Sequence, residues 1–184
     1  MIYILISKVK RWELDSLSLE EVCHVCFEPL IRAYKQRMAD HTLENSSMIK
    51  EKFYSDLTDG QRALFSFHVF YDHAVESLEE FYWWSAYFFA QPRIWSAIKS
   101  GVNYYRDEHM LQILESVESV LKTYHHPRSL DEFNVTREDI VRNQELFELI
   151  SPLSNKFNEA SPLTIQKIGS YIRDNLKEFI LIED

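Results

Sequence analysis

The chain has 184 residues, of which 46% are hydrophobic and 27% charged, with a formal net charge of −9 and only three glycines. This length and composition fit one folded domain with a substantial core, and the scarcity of glycine excludes Rossmann-type and other phosphate loops that need several glycines at fixed positions. The acidic balance argues against direct binding of nucleic acid or an anionic membrane, which both depend on lysine and arginine, but it permits a basic protein partner.

The first six residues, MIYILI, are rich in isoleucine and predict a short N-terminal strand. A strand needs a partner, which either the C-terminal FILIED or a second copy of the chain could supply. MIYILI also precedes Lys8 and Arg11, the reverse of the order in a signal peptide, and is too short to cross a bilayer. Because two cysteines, Cys23 and Cys26, cannot form a secreted disulfide framework, we expect a cytoplasmic protein.

Capping boxes mark three helix starts in the first half of the chain, because a Ser or Thr precedes a Glu or Gln by three residues. The pairs are Ser18 with Glu21, Thr58 with Gln61 and Ser77 with Glu80. The first box predicts a helix that kinks or restarts at Pro29 and runs to about Asp40, and a short helix over Ile49 to Leu57 follows. The second predicts a helix to Ala74, since apolar residues repeat there at helical spacing.

Further helices are predicted by start and stop signals in the second half. They cover Pro92 to Gly101, Asp107 to Leu121, Thr136 to Ile150, and Ser161-Pro162 to Phe179. No repeat, linker or low-complexity tract interrupts them. The sequence therefore predicts an all-α fold, a single-domain multi-helix bundle of seven or eight helices over residues 1–184.

The third capping box opens a stretch, FYWWSAYFF, in which seven of nine residues are aromatic. At about 100° per residue, Phe81, Trp84 and Phe88 share one face, while Trp83 and Tyr87 point roughly the opposite way. A helix that is apolar on all sides is buried or covered by another chain. We expect it to lie in the core, with a self-association surface and a ligand pocket as the alternatives.

Motifs for metal binding are incomplete. Cys23 and Cys26 form one C-x2-C, half of a zinc site. Glu21 and His24 form one Glu-x-x-His, but a di-iron centre needs a second pair and none occurs. We interpret the cysteines as core residues of an amphipathic helix and expect no metal or other cofactor.

Catalytic motifs are also missing, since the sequence has no G-x-S-x-G, Walker loop or HExxH. His68 and His73 are five residues apart and diverge on a helix, while His73 and Glu76 share a face. No nucleophile is signalled beside them, so the sequence does not favour an enzyme and assigns no catalytic residue.

Acidic residues concentrate between Asp107 and Glu148, where ten acids against four bases contribute −6 of the net charge. A solvated helical surface explains such a run, and so does a surface for a basic partner. We name as the acidic face its candidate interaction residues, Glu115, Glu118, Asp131, Glu132, Glu138, Asp139, Glu145 and Glu148.

The segments LTDGQRALFSFHVFYDH, SLEEFYWWSAYFF and IWSAIKSGVNYYRDEHMLQILESV, within Leu57 to Leu121, resemble a group of uncharacterised helical proteins of Bacillus-type bacteria. Their order is more distantly similar to the acidic domain family that includes a bacterial DNA-mimic protein. That resemblance implies an all-α fold, a dimer, and carboxylates that imitate DNA phosphates. The chain departs from that family at Glu76 to Phe81, which replaces a Gly-Gly-Phe turn, so the resemblance bears on fold more than on function.

Two functional hypotheses follow. The first is a cytoplasmic, non-enzymatic regulatory or interaction protein, DNA-mimic or immunity-like, whose acidic face binds a basic protein. The second is a small-molecule binder or enzyme with an aromatic pocket around His68, His73, Trp83 and Trp84. His68, His73, Trp83 and Tyr87 are the candidates for a pocket wall or a homodimer contact.

Overall fold

A computed structural model describes residues 7–39 and 46–183. The helices are α1 (Arg11–Ser16), α2 (Leu19–Ala39), α3 (Ser46–Ser55), α4 (Asp59–Ala74), α5 (Leu78–Phe89), α6 (Pro92–Tyr104), α7 (Glu108–Thr123), α8 (Asp139–Arg142) and α9 (Gln144–Asp174), and the strands are β1 (Ser7–Lys10) and β2 (Ile180–Glu183). The all-α helical bundle with a short strand is therefore confirmed. The described residues form nine α-helices, one more than the upper prediction.

The chain divides into two compact units. One comprises Met1–Phe65 with Ile165–Asp184, and the other comprises Ser66–Thr164. The boundaries fall inside α4 and α9, each of which is one continuous helix. The single domain over residues 1–184 stays a prediction.

The two strands pair in parallel, with Ser7 opposite Ile180 and Lys10 opposite Glu183. Lys8 of β1 and Glu183 of β2 form an ion pair, with Nζ and Oε1 3.2 Å apart. The predicted strand MIYILI lies outside the described residues. The C-terminal segment does pair within the chain, but with the residues that follow MIYILI.

The first unit has a core of aromatic rings from α2, α3 and the start of α4. Phe53 is fully buried, and its ring centroid lies 4.9 Å from that of Phe65 and 5.3 Å from that of Tyr34. The N-terminal end of α2 approaches α9 at Gly169, where an added Cβ would lie 2.1 Å from the Leu19 carbonyl oxygen. Only glycine allows this approach of two backbones.

The second unit is built around Phe70 on α4, which is fully buried. Its ring contacts Phe81, Phe88, Trp95 and Phe157 at centroid distances of 5.4 to 6.5 Å. These rings come from α5, α6 and α9, so one side chain joins four helices. Much of the aromatic content of the sequence is therefore packing between helices.

Two helices end differently from the prediction. Gly101 does not stop α6 but is buried inside it, and the helix ends when Arg106 adopts a positive φ of 55°. His125 does the same after α7, with a φ of 54°. After each of these residues, the next backbone amide donates to the carbonyl five residues earlier, from Asp107 to Val102 and from His126 to Leu121. This is the hydrogen bond of a Schellman motif, formed here without the usual glycine.

The helix predicted from Thr136 to Ile150 is divided, because α8 ends at Arg142 and Asn143 caps a new helix by accepting the Leu146 amide at 3.1 Å. The prediction that a helix begins at Ser161-Pro162 is wrong. α9 runs unbroken for 31 residues through Pro152 and Pro162. Both prolines are exposed, while an apolar stripe on the opposite side of α9 is buried, and that packing outweighs their local cost of about 3 kcal/mol each.

Replacing Gly169 with alanine is expected to lower the free energy of unfolding by about 1–3 kcal/mol, because a backbone carbonyl must move to admit the methyl group. Urea denaturation followed by far-UV circular dichroism measures this. Ser170→Ala is the control, since Ser170 is exposed on the same helix and its replacement should change stability by no more than about 0.5 kcal/mol. Equal stability of the two variants would contradict the close approach.

Candidate functional site

The aromatic helix α5 has one side buried and one side partly covered. Phe81, Tyr82 and Phe89 are at most 1% exposed, whereas Trp83 and Tyr87 are half-buried. The Ser77 hydroxyl caps the helix by accepting the Glu80 amide at 3.2 Å, as its capping box predicts. The partly covered side, which carries Trp83 and Tyr87, packs against another segment of the same unit.

The strap, residues 127–137, covers that second side. Trp83 and Tyr87 stack on each other with centroids 5.1 Å apart, and Phe133 of the strap meets both rings edge-on at 5.6 to 5.7 Å. The Trp83 Nε1–H donates to the carbonyl of Val135 at 3.0 Å. Trp83 and Tyr87 therefore pack within the chain, and their predicted role as a pocket wall or dimer contact stays a prediction.

An ion pair with α5 holds the C-terminal end of the strap in place. The Arg137 guanidinium donates two hydrogen bonds to the Glu80 carboxylate, one of them 2.8 Å long, and lies 4.4 Å from the Trp83 ring centroid. The Trp84 Nε1–H donates to the same carboxylate at 2.9 Å. The bonds from Arg137 are the main reason that the pKa of Glu80 is lowered.

The two histidines of the predicted aromatic pocket do not lie together on α4. His73 stacks on Trp84 with a centroid distance of 3.9 Å, whereas His68 is buried with its Nδ1 atom 3.0 Å from Asp72 Oδ1. None of the candidates His68, His73, Trp83, Trp84 and Tyr87 lines the cleft that we describe next.

A cleft of about 350 Å³ is lined in part by the strap, and we name it the Tyr82 cleft. Its walls come from α5, the residues that follow α7, the strap, α8 and the start of α9. Its lining residues are Tyr82, Tyr124, His125, His126, Pro127, Asn134, Val135, Asp139, Arg142, Asn143 and Leu146. Such a concave site with a few convergent polar groups is the usual form of a small-ligand or side-chain site.

The inner wall of the cleft holds a neutral polar pair. Tyr82 Oη and His126 Nε2 form a hydrogen bond of 2.8 Å. Burial lowers the pKa of His126, and burial together with the charge of Asp139 raises the pKa of Tyr82, so both groups are neutral at pH 7. The His126 Nδ1 atom is buried and has no hydrogen-bond partner among the described residues.

The outer wall carries opposite charges. Asp139 Oδ2 accepts the Thr136 amide at 2.8 Å, while its Oδ1 has no hydrogen-bond partner in the described part of the chain. Arg142 is exposed and has no ion-pair partner there either. At the rim, the Tyr124 hydroxyl lies 3.5 Å from the Glu145 carboxylate.

The acidic face is only partly displayed to solvent. Six of its carboxylates are exposed and form no ion pair with another described residue. They are Glu115, Asp131, Glu132, Glu138, Glu145 and Glu148. Asp139 is half-buried and uses one carboxylate oxygen to accept the Thr136 amide, and Glu118 is neutralised within the unit, so these two differ from the six.

Glu118 is bound by three donors. Lys99 and Lys122 both form ion pairs with it, the latter at 2.6 Å, and the Trp95 Nε1–H donates to it at 2.9 Å. Burial alone would raise the pKa of this carboxyl group, but the hydrogen bonds outweigh burial and lower the pKa to about 2.

The predicted core cysteines are both buried, and burial raises the pKa of Cys26 to about 12, so its thiol is not reactive at neutral pH. Within residues 7–39 and 46–183, no group of three or more His, Cys, Asp or Glu side chains is arranged to hold a metal ion. Nor does that part of the chain contain a helix long and apolar enough to cross a membrane.

The Tyr82 cleft was not predicted from the sequence, because TYHHPRS, Thr123 to Ser129, matches no binding or catalytic motif and predicts a loop between two helices. Four of its residues, Tyr124, His125, His126 and Pro127, line the cleft. A possible signal was the concentration of polar aromatic residues at the end of a helix, but their partner Tyr82 is 44 residues away from His126.

Comparisons with models of protein families, with curated proteins and with solved structures find no match for this chain. The resemblance to the Bacillus-type helical proteins and to the DNA-mimic domain family therefore stays an expectation.

Replacing Arg137 with alanine is expected to destabilise the second unit by about 1–2 kcal/mol, because Glu80 loses its cation and Trp83 loses a cation–π contact. It should also increase amide hydrogen exchange throughout the strap. Urea denaturation and exchange followed by mass spectrometry measure the two effects. Arg142→Ala is the matched control and should alter neither, since Arg142 has no ion pair among the described residues.

The lowered pKa of Glu118 predicts that its contribution to the free energy of unfolding is lost in acid. Because its folded-state pKa of about 2 lies below the unfolded value, its stabilising effect is complete above about pH 5 and disappears as the pH falls towards 2. At pH 7, Glu118→Gln should cost on the order of 2 kcal/mol of unfolding free energy. That difference from the wild type should shrink steadily in urea titrations between pH 5 and pH 2.5. A difference that does not change with pH would show that the ion pairs contribute nothing.

Proposed function

We propose that this protein is a non-enzymatic regulatory or interaction module, acting in the cytoplasm, whose acidic face binds a basic protein partner. The observation that carries the proposal is the set of six exposed carboxylates without ion pairs in the described chain. Solvated charges of one sign attract a partner of the opposite sign and speed its association.

The use of the neighbouring bases supports this proposal. Lys122 pairs with Glu118, and Arg137 pairs with Glu80, which lies outside the acidic segment. Arg128 lies over the Phe89 ring with its charge 4.2 Å from the centroid. The cations of the segment are therefore largely engaged in holding the unit together, which leaves a surplus of unpaired carboxylates at the surface.

The resemblance to the DNA-mimic domain family suggests the class of partner, a DNA-binding or otherwise basic protein. In that mode the carboxylates take the place of phosphates, and the affinity falls steeply with salt. Self-association of the chain would be compatible with it. The alternative of a small-molecule binder or enzyme around His68, His73, Trp83 and Trp84 has less support, because His68 lies apart from the other three in its contacts.

The test is affinity capture from bacterial lysate with the immobilised protein, in 50 mM and in 500 mM salt. We expect a basic protein to be retained at low salt and released at high salt. The variant Asp131→Asn, Glu132→Gln, Glu138→Gln, Glu148→Gln should lose it, since it removes four exposed charges from the acidic face.

The control carries the same change of charge elsewhere, with Glu13→Gln, Asp15→Asn, Glu20→Gln and Glu159→Gln, all at exposed positions. It should retain the partner. Equal loss in both variants would mean that only net charge matters and that the acidic face is not an interface. Capture of no basic protein by the wild type would overturn the proposal.

A further inference from the structure

The Tyr82 cleft is a concave site of the second unit; Asp139 of the acidic face lines it, and Glu145 of that face lies 3.5 Å from its Tyr124 hydroxyl. We infer that the cleft receives an arginine side chain presented on the backbone of the protein partner. This inference rests on the proposed function and extends it, because it names the group that the partner inserts and the place where it is held.

The charge and the rings of the cleft suit a guanidinium. Asp139 offers a carboxylate oxygen, Oδ1, without a partner among the described residues, and Glu145 adds a second carboxylate beside Tyr124. The ring of Tyr124 also lines the cleft, and the face of a tyrosine ring attracts a cation. A planar guanidinium can stack on a ring and at the same time donate hydrogen bonds to a carboxylate, which an ammonium does less well.

The donors of the cleft suit a peptide. Arg142 and the amide groups of Asn134 and Asn143 line it, and the carbonyl oxygens beside an inserted side chain are acceptors for such groups. Agmatine or a polyamine has no carbonyl or carboxylate oxygen and would leave Arg142 as an uncompensated like charge. The lining therefore favours arginine within a chain over a small cation.

The cleft is held open before any ligand arrives. Its wall at Val135 is fixed by the hydrogen bond from Trp83, and the strap that carries this wall is fastened by Arg137 to Glu80. The Asn143 side chain is held in place because it caps α9 by accepting the Leu146 amide. The Asp139 side chain is held in place because it accepts the Thr136 amide. Preformed walls reduce the ordering cost of binding.

The experiment titrates the full chain with the blocked peptide acetyl-Gly-Arg-Gly-amide and follows amide shifts by NMR. We expect saturable shifts of His126, Val135 and Asn143, and at least tenfold weaker binding when citrulline, the neutral isostere, replaces arginine. Agmatine, a guanidinium without carbonyl groups, separates a small-molecule source from a peptide and should bind several-fold more weakly than the arginine peptide.

The variant Asp139→Asn should weaken the arginine peptide about tenfold and leave the citrulline peptide unchanged. Asparagine keeps an oxygen for the Thr136 amide, so the fold should persist, as the dispersion of the spectrum will show. Tyr124→Ser provides a second cleft variant should Asp139→Asn unfold. Glu159→Gln, exposed and outside both the acidic face and the cleft lining, is the control and should bind both peptides normally.

Three outcomes would overturn the inference. They are equal binding of the arginine and citrulline peptides, shifts spread over the acidic face instead of the cleft, and agmatine that binds as tightly as the arginine peptide. The proposed function is tested separately. If the partner is lost by the surface variant but retained by Asp139→Asn and Tyr124→Ser, the acidic face binds it and the cleft does not.

Discussion

The second unit depends on one constraint, which is that α5 carries aromatic side chains all around its axis and each side must be covered. Phe81 is covered by Phe70 of α4 and Phe157 of α9, whereas Trp83 and Tyr87 are covered by the strap. Covering the second side with an irregular segment requires partners for its backbone, and the Trp83 indole supplies one at Val135. The order of the strap is therefore a consequence of the aromatic helix.

The same arrangement creates the candidate site. The strap packs Phe133 against Trp83 and Tyr87 and contributes Asn134 and Val135 to the Tyr82 cleft. Packing of the strap on the aromatic helix thus determines the position of polar groups in the cleft, as expected of sites built on rigid supports. Asp139 has a similar double role, because one carboxylate oxygen caps a turn while the other remains available.

The distribution of charge separates structural from displayed carboxylates. Glu80 and Glu118 are held by arginine, lysine and tryptophan donors, and their charges belong to the packing of the unit. The carboxylates of the strap and of the start of α9 remain exposed. A count of charges along the sequence cannot make this distinction, since Glu118 and Glu115 differ only in what lies opposite them.

The sequence by itself determined the helical class and most helix starts, because a capping box such as Ser18 with Glu21 or Thr58 with Gln61 is an interaction over three residues. Tertiary structure decided those features for which the local sequence signals were misleading or absent. α9 continues through Pro152 and Pro162 because burial of its opposite side outweighs a local cost. The strap and the cleft depend on Glu80 with Arg137 and on Tyr82 with His126, pairs 57 and 44 residues apart, whose proximity only the folded backbone creates.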